Sequence, residues 1–194
     1  MYDVFRKYIG QYLGTPLTDE AFAPFQGSFT PKKIRRKQYL LQEGEICRHL
    51  SFIARGAMRQ YTVDEKGVEH IVRFGIENWW MADRESFEMQ SPTQYNIDAW
   101  EDSEVLQVTH ARLDELKLES PLMKELTMSL DRRGSIAAQQ RIHAAISLTA
   151  EERYLDLLKT RPVFLQRFPQ SMIASYLGIS PETLSRIRKQ IFLK

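Results

Sequence analysis

The sequence contains a single cysteine, Cys47, among its 194 residues. One cysteine excludes an intrachain disulfide, and it excludes the zinc and iron–sulfur sites that need several thiolates. The four histidines, at positions 49, 70, 110 and 143, do not have the spacing of metal ligands, so we expect no metal site. These absences favour a reducing compartment, for which the cytoplasm is the simplest choice.

Long apolar stretches are also missing. No run of 18 apolar residues is present, so the sequence predicts no membrane-spanning helix. The first residues, MYDVFRKYIGQYLG, lack the apolar block of a signal peptide. The sequence shows no nucleophile–base pair, phosphate-binding loop or paired carboxylates of the kind that indicate an enzyme. We therefore expect a non-enzymatic, cytoplasmic protein.

The net charge of +2 is unevenly distributed along the chain. Residues 151–194 contain eight lysines and arginines against four acidic residues, which gives this segment +4 and leaves −2 for the rest. A basic segment of this kind favours a polyanionic partner such as nucleic acid. A second basic run, PKKIRRK at residues 31–37, is more typical of a solvated surface.

The spacing of apolar residues changes along the chain and predicts helices at both ends of a β region. Residues 2–25 have helical spacing, and so does the segment from Pro121 to about Ser147. Between residues 28 and 108, short runs such as HLSFIARG and AMRQYTV alternate apolar with polar residues, which predicts a small antiparallel sandwich or barrel. The stretch TVDEKGVEH predicts a hairpin in which Gly67 takes a positive φ.

The predicted long helix carries an apolar series close to heptad spacing, formed by Met123, Leu126, Leu130 and Ala137. A narrow apolar stripe on a long helix needs a partner. A second copy of the chain is the interpretation that we favour, and packing of the helix on the β region is the alternative.

The segment after the long helix predicts one more helix and an extended piece. Thr149 and Glu152 have the spacing of a capping box, and Pro162 would end the helix that they begin. We interpret VFLQRF, residues 163–168, as a short strand or hairpin arm.

The terminal stretch QSMIASYLGISPETLSRIRK predicts two short helices joined by a tight turn. Gly178 suits the left-handed residue that ends a helix. Ser180 suits the cap of the next helix, and Pro181 suits its first position. Leu184 and Ile187 would then face inward, which is the spacing of a helix-turn-helix whose second helix enters the DNA major groove.

The outward residues of that second helix suit DNA recognition. Arg186 can donate to a guanine edge, and Glu182 can accept from cytosine. Phosphate contacts would come from the helix N-terminus at Ser180 and from the side chains of Thr183, Ser185 and Lys189. The alternative interpretation is a capped helical hairpin with a solvated polar face.

The order of a β roll, a long helix and the terminal IASYLGISPETLSRIRK resembles the Crp/Fnr superfamily of bacterial transcription regulators. The most specific part is the pattern Gly-x-Ser-x-Glu-Thr-Leu-Ser-Arg at residues 178–186. The resemblance implies that Glu182 and Arg186 read bases. Many family members have an arginine where Pro181 stands. The chain stops shortly after the recognition helix, so we expect that it lacks a C-terminal wing and that any wing comes from residues 163–168.

The expected effector pocket departs from the pattern of cyclic-nucleotide binders. The resemblance aligns Ala82 and Asp83 with their Gly-Glu pair, and Thr93 and Gln94 with their Arg-Ser pair. Loss of the arginine removes a charge-assisted contact worth about 1.5–3 kcal/mol, so we expect neither cyclic AMP nor cyclic GMP to bind. The other candidate pocket residues are Met81, Arg84 and Tyr95. We expect Trp79, Trp80, Phe87 and Tyr95 to fill the region as core.

The resemblance therefore implies an α+β fold with an antiparallel, jelly-roll-like β roll (a double-stranded β-helix) and flanking helices. It implies a sensor domain at residues 1–120, a dimerisation helix at 121–148 and a helix-turn-helix domain at 149–194. The partners would be double-stranded DNA, a second copy of the chain and RNA polymerase, with no membrane contact. The effector stays unknown. The alternative from another class is a ligand-binding or protein-interaction module that does not bind DNA.

Overall fold

Helices at both ends of the chain flank a set of antiparallel strands in the computed structural model, which describes residues 1–192. The predicted α+β class, with a β roll and a terminal helix-turn-helix, is confirmed. The chain forms two compact units: residues 1–62 with 74–130, and residues 63–73 with 131 onward. These units do not coincide with the predicted segments, whose separate roles stay a prediction.

The strands form two four-stranded sheets, in the orders β1-β8-β3-β6 and β2-β7-β4-β5. The pairings are antiparallel; β8, for example, lies between β1 and β3. Gly67 has φ 78° in the predicted hairpin between β4 and β5, which confirms that turn. The strands are β1 Thr30–Ile34, β2 Tyr39–Leu41, β3 His49–Arg55, β4 Met58–Val63, β5 Glu69–Gly75, β6 Trp80–Met81, β7 Asn96–Ala99 and β8 Ser103–Thr109.

The helices within residues 1–192 follow the predicted pattern except near residue 163. None of them is long and apolar enough to cross a membrane. Their bounds are α1 Tyr2–Leu13, α2 Asp19–Ser28, α3 Arg84–Met89, α4 His110–Glu119, α5 Pro121–Ser147, α6 Ala150–Thr160, α7 Pro162–Arg167, α8 Gln170–Leu177 and α9 Pro181–Phe192.

An aromatic cluster joins the N-terminal helices to the β roll in the first unit. The Phe5 ring lies 4.8 Å from Phe52 and 5.7 Å from Trp80, centroid to centroid. The Trp80 indole N–H donates to the Tyr8 hydroxyl at 3.2 Å. Trp80 and Phe87 are buried in the core, which agrees with the expectation that these aromatics fill the region.

A buried ion pair crosses from β4 to β7 in the same unit. The Arg59 guanidinium donates to both carboxylate oxygens of Asp98, at 2.8 and 2.9 Å. The two side chains are only 10% and 7% exposed. The guanidinium also lies over the Tyr61 ring, 4.2 Å from its centroid. Because both charges are largely removed from water, their pairing compensates part of the cost of burying them.

The sequence predicts that an apolar series on α5 forms a dimer seam. The first residues of that series pack instead against the core of their own chain. Met123 and Leu126 are fully buried in the first unit's core, and Leu130 is partly buried against it. The seam prediction is wrong for Met123 and Leu126, because side chains with no exposed surface cannot contact a second copy. The start of the helix packs instead into the core that the strands share with the other helices of the first unit.

The second unit contains α6 to α9 around a small aromatic core. Thr149 and Glu152 form the predicted capping box, with the Glu152 N–H donating to the Thr149 hydroxyl at 3.2 Å. Residues 162–167 are helical, so the prediction of a strand or wing at 163–168 is wrong. Pro162 occupies the first position of that helix, where its missing N–H costs nothing. Phe164 is buried and packs edge-on against Phe168 and Tyr176.

Candidate nucleic-acid interface and effector cavity

The turn between α8 and α9 has the backbone geometry that the sequence predicts. Gly178 has φ 67° and its N–H donates to the Ala174 and Ser175 carbonyls, which ends α8. The Ile179 N–H then returns to the Ala174 carbonyl at 3.0 Å. The Ser180 hydroxyl accepts from the Thr183 N–H at 3.2 Å and caps the next helix. These hydrogen bonds fix the backbone of the short turn, residues 178–180, that joins the two helices.

Helix α9 has two different faces. Leu184 and Ile187 are buried, at 1% and 5% exposure, and attach the helix to the second unit. The opposite face exposes Glu182, Ser185, Arg186 and Lys189, whereas Thr183 is half-buried. Among residues 1–192, Arg186 and Lys189 form no ion pair. The predicted DNA-contacting residues therefore lie together on one surface.

Glu182 lies in the first turn of α9 and stays ionised. Its own backbone N–H, followed by the Ser180 hydroxyl, lowers the pKa of this carboxyl. A carboxylate at this place accepts hydrogen bonds only. It can therefore accept from an exposed amino group such as that of cytosine.

Helix α8 is held from behind by the β4–β5 hairpin, which belongs to the same unit. The Ser175 hydroxyl accepts from the Ile71 N–H at 2.9 Å and donates to the Glu69 carbonyl at 3.1 Å. One residue further on, the Tyr176 ring lies 4.7 Å from the Arg141 guanidinium. Arg141 also donates to the Val72 carbonyl. The local sequence pattern does not predict this support, because nothing in it pairs Ser175 with a hairpin about a hundred residues earlier.

Two of the residues aligned with the anchors of cyclic-nucleotide binders, Asp83 and Thr93, form a hydrogen bond with each other. The Thr93 hydroxyl donates to the buried Asp83 carboxylate at 2.6 Å. Asp83 also caps α3 by accepting from the Glu85 N–H at 3.2 Å. Arg84 is exposed and pairs with Glu88 at 3.1 Å on the same helix. Of the remaining candidates, Gln94 is exposed and Tyr95 is half-buried, whereas Met81 and Ala82 are buried.

A cavity of about 370 Å³ opens beside this region, within the first unit. Of the predicted pocket residues, Met81 and Ala82 line it, and the other five do not. Three lining residues that the sequence pattern does not indicate as pocket residues are basic: Lys32, Arg48 and His49. These three residues are distant in sequence from the positions aligned with cyclic-nucleotide binders. Only the pairing of the strands brings them close to those positions.

The exposed part of α5 presents a second apolar series that the sequence analysis also missed. Its two largest members, Met128 and Ile142, are 61% and 60% exposed. Successive members of the series are 7, 3, 4 and 3 residues apart: Met128, Ser135, Ala138, Ile142 and Ala145. This heptad spacing lies on the side of the helix opposite Leu126, and the exposed Ile146 adjoins its last member. We call this series the α5 stripe.

Comparison with known proteins agrees with these features. Residues 31–120 match the family model of the cyclic nucleotide-binding domain. The chain is 30% identical over 171 residues to the fumarate and nitrate reduction regulatory protein of Vibrio cholerae. It is 26% identical over 167 residues to the anaerobic regulatory protein of Aggregatibacter actinomycetemcomitans. Each match covers 80% of this chain but 66% and 64% of those relatives, just under two thirds of their length.

The fold also matches a solved structure. FixK2 from Bradyrhizobium japonicum superimposes with a TM-score of 0.72 at 18% identity, over 85% of each chain. By sequence and by fold, the chain is similar to bacterial transcription regulators of the Crp/Fnr type.

Proposed function

We propose that this protein is a sequence-specific DNA-binding transcription regulator. The observation that carries the proposal is the outward face of α9, where Arg186, Lys189 and Glu182 lie side by side without an ion pair in the described chain. An arginine or a lysine alone on a solvated surface has no energetic cost and so indicates no particular function. An ionised carboxylate held by a helix N-terminus beside those cations suits a surface that must discriminate between bases.

Each exposed residue has a distinct role on DNA. Arg186 donates to guanine O6 and N7 in the major groove, and Glu182 accepts from the cytosine amino group. Ser185, Thr183 and the N–H groups at the start of α9 contact phosphate, as does Lys189 farther along. Base contacts then set the sequence, whereas phosphate contacts set the position of the helix.

The proposal predicts that the wild-type protein selects a sequence. Repeated capture of a randomised duplex pool by the purified chain should enrich one motif with a guanine–cytosine step in each half. A pool that stays random after several rounds, at about 50 mM salt where phosphate contacts are strong, would instead support the binding module that does not recognise DNA.

We further propose that the protein acts as a homodimer through the α5 stripe. The stripe is mostly apolar, has heptad spacing and is exposed in the single chain. Two such helices can pack against each other as a coiled coil, which buries the apolar side chains of both stripes. A dimer would place two copies of α9 on half-sites about 34 Å apart or a multiple of this.

The stripe predicts that Ile142→Glu weakens association. The substitution places a charge in each half of the seam, so the dissociation constant of the dimer should rise at least about tenfold. Sedimentation velocity over a concentration series measures it. Because Ile142 is 60% exposed in the single chain, the circular dichroism of the variant should stay unchanged.

Gln140→Glu is the matched control. It adds the same charge to the same helix, but residue 140 is two positions away and therefore lies on the other side. The control should associate like the wild type. Equal weakening in both variants would point to net charge rather than to a seam, and a wild-type monomer at micromolar concentration would remove the dimer.

A further inference from the structure

The cavity beside the β roll is lined by both charged and apolar residues. Leu40 and Ile46 are half-buried and supply the accessible apolar part of the lining, with Leu41, Met81 and Ile97 buried behind them. Lys32 and Arg48 line the rim and are exposed, whereas His49 is half-buried. A volume of about 370 Å³ lies within the range of small-molecule sites, about 300–1,000 Å³. This combination suits a ligand with one apolar end and one charged end.

The charge of the rim favours an anion. In the described part of the chain neither Lys32 nor Arg48 has an ion-pair partner, whereas the next residue, Lys33, lies 3.8 Å from Glu104. Burial, followed by the nearby charges of Lys32 and Arg48, lowers the pKa of His49. The two cations therefore lie close enough to the imidazole to act on it, and all three surround one opening.

One acidic residue also lines the cavity. Glu45 is exposed, and its carboxylate accepts from the Gln42 N–H at 3.0 Å, which turns it toward its own loop. Asp83, the nearest buried carboxylate, receives the Thr93 hydroxyl at 2.6 Å and the Glu85 N–H at 3.2 Å. The carboxylates near the rim are thus already hydrogen-bonded, and the cations are not paired with them.

We propose that this cavity binds a small organic anion, a carboxylate or a phosphate monoester with a short apolar group. Lys32 and Arg48 hold the charged end at the rim, and the apolar end lies against Leu40 and Ile46. The residues that hold the charge differ from those aligned with the anchors of a cyclic nucleotide. Two residues at those aligned positions, Asp83 and Thr93, bond each other.

The proposal is tested by calorimetry with two anions, hexanoate and phenyl phosphate, on the full-length protein. At least one should bind with a dissociation constant of about 1 mM or tighter. Hexanamide keeps the apolar tail without the charge, and inorganic phosphate keeps the charge without the apolar group. Each of these should bind at least about tenfold more weakly than its counterpart, because each lacks one half of the recognition.

Variants locate the site. Lys32→Gln and Arg48→Gln should each weaken binding about tenfold, because each removes one charge-assisted contact. Lys33→Gln is the matched control, since it removes the same charge from the neighbouring position of the same strand, where the lysine faces Glu104.

Two results would overturn the proposal. One is that neither anion binds the wild type at about 1 mM. The other is that binding is weakened as much by Lys33→Gln as by Lys32→Gln and Arg48→Gln, which would mean a general surface effect. The role of the anion as an effector rests on the proposed DNA-binding function, but the binding itself is measured without DNA. Failure of one is therefore distinguishable from failure of the other.

Discussion

Replacing Asp98 by alanine is expected to destabilise the first unit by about 3–5 kcal/mol, because the substitution removes the carboxylate that accepts two hydrogen bonds from the buried Arg59 guanidinium. The Arg59 side chain is 10% exposed and cannot reach water without moving out from between its neighbours. Its contacts with the Tyr61 ring at 4.2 Å and the Trp100 ring at 5.9 Å compensate only part of the lost carboxylate.

Urea unfolding followed by tryptophan fluorescence measures this effect in the correct unit, since Trp79, Trp80 and Trp100 all belong to it. The double variant Arg59→Met with Asp98→Leu should recover most of the loss, because it removes both charges and keeps apolar volume. A surface control is Glu119→Gln, which breaks an exposed pair with Arg112 and should leave the midpoint nearly unchanged. An Asp98→Ala midpoint as close to the wild type as that control would show that the guanidinium finds water.

The terminal helix pair was predictable because its signals are local. Gly178, Ser180 and Pro181 each act on the backbone within a few residues, and the structure gives each the expected role. Capping and turn signals that act over a few residues can be recognised directly in the sequence. The same holds for the capping box at Thr149, which begins α6.

The long helix shows where local reading stops. Its bounds, Pro121–Ser147, agree with the prediction. A heptad pattern indicates an apolar face but not its partner, so Met123 and Leu126 were assigned to a second copy although they contact their own core. The exposed α5 stripe on the other side includes Ser135 and Ala138, which are too polar or too small to mark a seam by hydrophobicity alone.

The candidate cavity depends on pairings that the sequence does not reveal. Lys32 lies on β1, and Arg48 comes just before β3; both strands pair with β8, from residues far along the chain. A run such as PKKIRRK reads as a solvated surface when it is considered alone. Only the sheet order brings one of its lysines to the opening of the cavity.

Arg186→Ala is expected to cost about 1–3 kcal/mol on the selected DNA sequence and to relax preference at one base position per half-site. Arg186 lies on the exposed face of α9, and its helix is fixed from behind by Leu184 and Ile187. A guanidinium at that place can reach both acceptors of a guanine edge. Removing it should therefore reduce affinity mainly for the sequences that carry that guanine.

The Lys189→Ala substitution is expected to weaken DNA binding in a different way. Its ammonium group lies farther along the helix, where it contacts phosphate, so its loss should weaken all sequences alike and reduce the salt slope by about 1 per contact. Glu182→Ala should lower discrimination more than affinity. A carboxylate close to phosphates repels them, and only the base that it selects offsets that repulsion.

The three variants are compared by binding a selected and a scrambled duplex at two salt concentrations. Gln190→Ala serves as the control, because Gln190 is exposed near the end of the same helix and has no assigned contact. Arg186→Ala should narrow the gap between the two duplexes, whereas Lys189→Ala should keep the gap and shift both affinities. If all three behave like the Gln190 control, α9 does not read DNA. The outward face of α9 would then be a solvated surface, and the cavity of the first unit would become the main functional site.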